Sequence, residues 1–198
     1  MWCTRPSSSN GKRERALEAM EKRKTPIRTS YLNLLNYKRS SQSCYLPTPY
    51  TSATAAVRGL HQSLRNILNE GLENVFRRHA MAARAVREGF KAMGFSLFVK
   101  DERAASNTVT TIEIPKGLDF KRFWRALFDR YNIMIGNPPP QQTADWARGV
   151  FRIGHMGYAA AIQYVMPMLT YVEKALAEVG FNLEPGAGVA AAADIFTK

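Results

Sequence analysis

The spacing of hydrophobic residues changes at Gly94, and this change constrains the fold more than any other feature of the sequence. Before Gly94, apolar residues recur at the three- and four-residue spacing of amphipathic helices, which predicts helices over residues 53–70 and 72–94 with Gly71 between them. After Gly94, apolar and polar residues alternate, as is typical of strands. A chain that passes from helices to strands in this way is predicted to pack helices against a sheet.

The later part of the chain predicts short strands and two further helices. Asp119 is expected to cap one helix, and the last helix is expected over residues 159–179 with Pro167 in its first turns or at a kink. The strands are predicted at residues 95–99, 108–114 and 133–135, and from Val150 to the glycines that follow it. The predicted fold class is therefore α+β, with helices packed on one face of a small, mainly antiparallel sheet.

The two helices before Gly94 are each expected to bury an apolar face and to expose a charged one. The residues predicted to face inward are Val57, Leu60, Leu64, Ile67 and Leu68 in the first helix, and Leu72, Val75, Phe76, His79, Val86 and Phe90 in the second. The residues predicted to face outward in the second helix are Arg77, Arg78, Arg84, Arg87 and Lys91.

Charge and composition divide the chain into four segments. The net charge is +12, and the first forty residues carry a large share of the excess. Residues 1–13 are predicted to be disordered, residues 14–51 form a basic segment and connector, residues 52–183 form a globular domain, and residues 184–198 form an Ala/Gly-rich tail whose order the sequence leaves open.

Several functional classes are disfavoured by simple features. Cys3 and Cys44 are far apart and have no metal-ligand spacing, so a reducing, cytoplasmic setting is expected. No apolar run is long enough to span a bilayer, and no membrane association is predicted. The positive charge raises nucleic acid as a partner, but basic residues are not interleaved with base-stacking aromatic residues, which argues against that partner.

One charged residue stands inside the most apolar predicted strand. Val150, Phe151 and Ile153 surround Arg152, and Gly154 and Gly157 end the strand. An arginine buried in such a run needs an anion, because an unpaired buried charge is costly. Two explanations remain open from the residues alone: an ion pair with a structural Asp or Glu, or a bound carboxylate or phosphate that the planar guanidinium holds with two hydrogen bonds.

The three histidines do not predict a metal or catalytic site. His61, His79 and His155 lack the spacing of metal ligands, and no Ser-His-acid arrangement is recognisable. His79 lies on an apolar helix face and is interpreted as a structural histidine, and His155 is interpreted in the same way although its position leaves contact with a ligand open.

Six short segments stand out along the chain when they are taken in order. The segments are Tyr31-Leu32-Asn33-Leu34-Leu35, Thr48-Pro49-Tyr50-Thr51, Glu70-Gly71-Leu72-Glu73-Asn74-Val75, Leu97-Phe98-Val99-Lys100-Asp101, Asn107-Thr108-Val109-Thr110 and Phe151-Arg152-Ile153-Gly154-His155-Met156-Gly157. In this order they resemble the C-terminal part of class V pyridoxal-phosphate aminotransferases, the alanine–glyoxylate, serine–pyruvate and serine–glyoxylate group. The resemblance extends from about Glu14 to Phe181.

This resemblance implies a fold, a cofactor and site residues. Residues 52–183 would be the small C-terminal domain of a fold-type-I enzyme that uses pyridoxal 5′-phosphate, and residues 14–51 would come from the end of the large domain. Arg152 would bind the α-carboxylate of an amino acid or 2-oxo acid substrate. Thr51, with Thr48 and Tyr50 nearby, would bind the cofactor phosphate of the other subunit of a homodimer.

The sequence departs from the family pattern at the catalytic residue. No lysine matches the Schiff-base lysine, and Lys12 is rejected because it lies directly against a short helix predicted over residues 14–24. The leading hypothesis is a transaminase fragment, with an alanine or serine donor and a glyoxylate or pyruvate acceptor, that is inactive alone. The alternative is a non-catalytic interaction module that pairs with a full-length relative or binds an anionic polymer through its basic segment.

Overall fold

The computed structural model describes residues 11–42, 48–136 and 149–197. The chain divides into two compact units, Met1–Arg65 and Asn66–Lys198, and each is described by itself. The predicted disorder of residues 1–10 lies outside the described residues, while residues 11–13 belong to a helix. The segment boundaries predicted at residues 13, 51 and 183 stay predictions.

The first unit contains helices α1 (Gly11–Glu21) and α2 (Leu34–Ser41), and helix α3 (Thr54–Glu70) begins in it. Helix α2 was not expected from the sequence, although Asn33 is a regular N-cap whose side chain accepts the Leu35 N–H. The Lys38–Glu21 ion pair joins α1 and α2. None of the residues of α2 is buried, so local capping and side-chain pairs hold this helix rather than a core.

Helix α3 forms where the sequence predicts it, but its predicted inward face is wrong. No residue of α3 is buried, and the apolar side chains at helical spacing are exposed. These side chains are Val57, Leu60, Leu64, Ile67 and Leu68. The spacing identified one face of the helix correctly, but the described part of the chain provides nothing that covers it.

The second unit contains the core and the sheet. Helix α4 (Leu72–Ala92) ends at Gly94, whose left-handed φ of +86° is the C-terminal conformation that the sequence predicts. After α4 come strand β1 (Val109–Glu113), helix α5 (Phe120–Arg125) with a π turn over Ala126–Arg130, strand β2 (Val150–Gly154), helix α6 (Ile162–Glu178) and helix α7 (Ala187–Thr197). Pro167 lies inside α6.

The sheet is smaller than predicted. Strands β1 and β2 pair antiparallel, with Thr111 opposite Arg152. The predicted strands at 95–99 and 133–135 are reduced to single antiparallel bridges, Leu97 to Ile112 and Gly136 to Arg152. The segment 133–135 does not form a strand for a local reason. The Ile133 N–H donates to the Leu127 carbonyl at the end of the π turn and is therefore not available for a hydrogen bond within the sheet. The predicted α+β class, with helices against a small antiparallel sheet, is confirmed.

The core lies between the helices and one face of this sheet. Four phenylalanine rings surround Phe151 of β2, with ring centroids 5.3 to 6.2 Å from its own. They are Phe90, Phe95, Phe120 and Phe123, and all are buried. Such edge-to-face and tilted contacts stabilise a core beyond the burial of apolar area alone.

The Ala/Gly-rich C-terminal segment, whose order the sequence leaves open, contains helix α7, and α7 packs closely on α4. A Cβ atom added to Gly188 would lie 2.8 Å from Met93 Cγ and 2.9 Å from the Gly89 carbonyl oxygen. The buried Glu173 carboxylate of α6 accepts the N–H groups of Gly186, Gly188 and Val189. A carboxylate at this position satisfies the free N–H groups of the helix start and complements the helix dipole.

The basic face predicted for α4 is only partly correct. Arg77, Arg84 and Lys91 are exposed, but Arg87 is buried with 8% of its surface accessible. The Arg87 guanidinium reaches the Ser106 carbonyl at 3.5 Å. The prediction fails at this residue because the loop before β1 folds over this part of the helix, which helical spacing cannot reveal.

Candidate active site

Arg152 lies on the open face of the sheet. Phe151 and Ile153 point into the core, and Arg152 and Gly154 alternate with them and are exposed. The expectation that Arg152 is buried is therefore wrong for this chain. The alternation of side chains along a strand explains the difference, because only one face of this sheet is packed against helices.

Two glycines lie beside Arg152 on this face. Gly136 forms the neighbouring bridge, with its N–H donating to the Arg152 carbonyl at 2.9 Å. A Cβ atom at Gly136 would lie 3.1 Å from the Arg152 Cβ, whereas a Cβ atom at Gly154 would meet no atom within 4 Å. Gly136 and Gly154, the two positions described beside Arg152 on this face, therefore carry no side chain.

His155 follows β2 and belongs to the packed side. It is 1% exposed, and its Nε2 atom shares a 2.8 Å hydrogen bond with the Thr110 hydroxyl of β1. The pKa of His155 is lowered to about 4, chiefly because the ring is buried, and the nearby positive charge of Arg87 contributes to this lowering. The ring is therefore neutral near pH 7, which agrees with its interpretation as a structural histidine.

The turn after His155 is held by the beginning of α4. The Gly157 N–H donates to His79 Nε2 at 3.0 Å, and Arg78 Nη1 donates to the carbonyls of Gly157 and Ala160 at 2.7 and 3.1 Å. His79 Nδ1 bonds the Val75 carbonyl, so both ring nitrogens have partners. His79 is structural, as predicted. Arg78, predicted to face solvent, instead holds this turn.

A cleft of about 330 Å³ opens beside the end of β2. Its lining is mostly apolar and aromatic and includes Gly154 and His155 but not Arg152. The other lining residues are Tyr131, Ile133, Ala159, Gln163, Tyr164, Val165, Pro167, Met168 and Tyr171. Sequence reasoning did not identify this cleft, because its walls come from segments that are far apart along the chain.

The residues predicted to bind a phosphate belong to the first unit. Thr48 and Thr51 are exposed, and Thr51 lies three residues before the first residue of α3. Tyr50 is half-buried, and its hydroxyl donates to the Ser30 carbonyl at 2.8 Å and accepts from Asn36 Nδ2 at 2.9 Å. The Tyr50 hydroxyl is thus occupied within the unit, whereas Thr51 lies in the segment that leads into the N-terminus of α3, and phosphates bind well at helix N-termini.

Metal-ligand groups and membrane-spanning helices were sought in the described part of the chain. Among residues 11–42, 48–136 and 149–197, no group of three His, Cys, Asp or Glu side chains is placed to hold a metal ion. Within the same residues, no helix is both long enough and apolar enough to cross a membrane.

Comparisons with known proteins identify relatives of one kind. The chain is 37% identical over 185 residues to an uncharacterized aminotransferase of Methanocaldococcus jannaschii, covering 93% of this chain and 46% of that protein. It is 39% identical over 150 residues to the serine–glyoxylate aminotransferase of Hyphomicrobium methylovorum, covering 76% of this chain and 36% of the relative. No protein-family model matches the chain.

A solved structure gives the same result for the fold. The ureidoglycine–glyoxylate aminotransferase of Bacillus subtilis superposes with a TM-score of 0.79 at 30% identity, over 93% of this chain and 46% of that one. The predicted resemblance and its fold are confirmed, and the chain spans about half the length of the relatives it matches. The homologues of this chain are therefore class V aminotransferases of the serine–glyoxylate and alanine–glyoxylate type.

Proposed function

We propose that this chain forms the C-terminal part of a pyridoxal-phosphate aminotransferase subunit. The complete subunit would transfer an amino group from a donor such as alanine or serine to a 2-oxo acid such as glyoxylate or pyruvate. The agreement of sequence and fold with aminotransferases over 93% of the chain is the observation that carries this proposal. Because the chain spans under half of those relatives, the activity belongs to the proposed complete subunit.

Arg152 would bind the α-carboxylate of the substrate. Its exposed position on β2, beside Gly136 and Gly154, supports this role because neither glycine has a side chain that would block a small anion. The guanidinium fork would hold both carboxylate oxygens and thereby fix the orientation of the α-carbon. Lysine would be a poor replacement, since a single ammonium group cannot reproduce the planar pair of hydrogen bonds.

Thr51 would hold the cofactor phosphate with its hydroxyl and the nearby N–H groups at the start of α3. Its exposure and its position before the helix fit an anion. The bonds of Tyr50 to Ser30 and Asn36 would keep the segment in place for this contact. The cofactor, when bound, supplies the electron sink for reaction at the substrate α-carbon. A homodimer, in which Thr51 serves the other subunit, is part of the proposal.

A chimera tests this proposal. The matched portion of the Bacillus subtilis relative would be replaced by this chain, and transamination of serine or alanine with glyoxylate would be measured. We expect R152K to raise KM for the amino donor about tenfold or more with a smaller change in kcat. T51A should weaken cofactor binding, which absorbance titration would measure. R125K, at an exposed arginine of α5, is the matched control and should change neither quantity.

Two results would contradict the proposal. One is a folded chimera that binds no cofactor and transfers no amino group under conditions where the unaltered relative is active. The other is turnover by this chain alone, since no lysine in it matches the residue that would bind the cofactor covalently.

A further inference from the structure

Thr111 of β1 lies directly opposite Arg152 of β2 in the antiparallel sheet. Its neighbours in β1, Thr110 and Ile112, are buried on the packed side, whereas Thr111 is half-buried and lies on the other side. Residues that are directly opposite in an antiparallel pair share one face of the sheet. The Thr111 hydroxyl and the Arg152 guanidinium therefore belong to the same face.

The backbone hydrogen bonds show that Thr111 and Arg152 form the closer kind of cross-strand pair. The Thr111 carbonyl accepts the Phe98 N–H at 3.1 Å, and the Arg152 carbonyl accepts the Gly136 N–H at 2.9 Å. Both residues thus direct their backbone groups away from each other, toward the outer neighbours. In such a non-hydrogen-bonded pair the two Cα atoms lie only about 4.5 Å apart, and the side chains are correspondingly close. The outer hydrogen bonds hold this spacing from both sides.

The other neighbours of Arg152 leave this role to Thr111. Glu113, two residues further along the same side of β1, carries a carboxylate that accepts a hydrogen bond from Lys100 Nζ at 3.0 Å, so its negative charge is compensated there. Gly136, on the other side of Arg152, has no side chain. Of the two residues directly opposite Arg152, only Thr111 therefore has a side chain that can donate a hydrogen bond.

We propose that Thr111 is a second substrate-binding residue, whose hydroxyl donates a hydrogen bond to the carboxylate that Arg152 holds. A carboxylate offers about four lone-pair sites, and a guanidinium fork fills two of them, so a further donor beside the fork improves binding. A threonine side chain has few rotamers, and its hydroxyl is therefore oriented before the substrate arrives. This inference rests on the proposed function and adds a residue to the same site.

The chimera with the Bacillus subtilis relative tests this role. The measurements are KM for serine, with glyoxylate as acceptor, and the inhibition constant of propionate, a carboxylate that cannot react. T111V removes the hydroxyl but keeps the shape and favours a strand, so we expect both constants to rise about tenfold with a smaller change in kcat. T111S keeps the hydroxyl and should restore most of the binding. T197V, at an exposed threonine of α7, is the matched control and should change neither constant. Thermal unfolding checks that each variant is folded.

A double variant shows whether the two residues hold the same group. R152K and T111V together should raise KM for serine by less than the product of their separate effects, because both act on one carboxylate. Effects that multiply would overturn the shared contact.

The outcomes separate this role from the proposed function. Unchanged constants in T111V, in a chimera that is otherwise active, overturn the role of Thr111 and leave the proposed function standing. A T111S variant that binds as weakly as T111V also overturns it, since the hydroxyl would then not be the group that matters. A folded chimera that transfers no amino group before any substitution overturns both.

Discussion

The two ends of helix α4 have similar apolar patterns and very different surroundings. Around Phe90 the helix is enclosed by the phenylalanine cluster and by α7, whereas around Leu72 and Phe76 the same side of the helix is exposed. The difference shows that amphipathic spacing reports which side of a helix needs a cover, and that the cover itself comes from elsewhere.

The largest effect is expected from removing a ring at the covered end. F90A should lower the free energy of unfolding by about 3–5 kcal/mol, because a buried ring is replaced by a cavity. F76A should change it by less than about 0.5 kcal/mol, since the Phe76 side chain is already exposed. Urea unfolding of both variants measures the difference. Similar losses for the two variants would show that the chain itself covers Phe76.

Acidification should lower the free energy of unfolding through protonation of His155 in the unfolded state. The pKa of His155 is about 4 in the folded chain and about 6.5 when exposed, so the unfolded state binds more protons between these values. Stability from this group is complete above pH 6.5 and is lost as pH falls toward 4, by about 3 kcal/mol. Urea unfolding across this range measures the slope. H155Q should remove this part of the slope, and an unchanged slope would contradict the assignment.

The contact between α4 and α7 should tolerate no added side chain. G188A should lower the free energy of unfolding by about 2 kcal/mol, because the new methyl group would lie 2.9 Å from the Gly89 carbonyl oxygen. That oxygen belongs to the helix backbone, which cannot shift without straining α4. G59A in α3 is the control, since a Cβ atom at Gly59 meets nothing within 4 Å, and alanine favours a helix. Thermal unfolding compares the two. A neutral G188A would mean that α7 packs more loosely than the structure indicates.

A smaller effect is expected at the start of α7. E173Q should lower the free energy of unfolding by about 1–2 kcal/mol. The amide keeps one acceptor oxygen, but its NH₂ group would face N–H groups that now donate hydrogen bonds to the carboxylate. Hydrogen exchange of residues 188–192 should rise more than that of α4. Equal increases in both helices would indicate global destabilisation, without a specific loss of the α7 cap.

Some of the candidate site could be read from residues alone and some could not. The position of Arg152 in a strand next to glycines follows from local sequence, as does the structural role of His79. The exposure of Arg152 does not, because it depends on which face of β2 the helices cover. The support that Arg78 gives to the Gly157 turn also escapes prediction, since a residue 79 positions away supplies the partner.

The sequence by itself determined the α+β class, the end of α4 at Gly94 and the family to which the relatives belong, because these depend on local spacing and on short segments in a fixed order. Only the tertiary structure decided that residues 187–197 form a helix locked against α4, that Arg87 is buried, and that α3 presents its apolar side outward. Those outcomes depend on contacts between distant segments, and the burial of a side chain is a property of what packs against it.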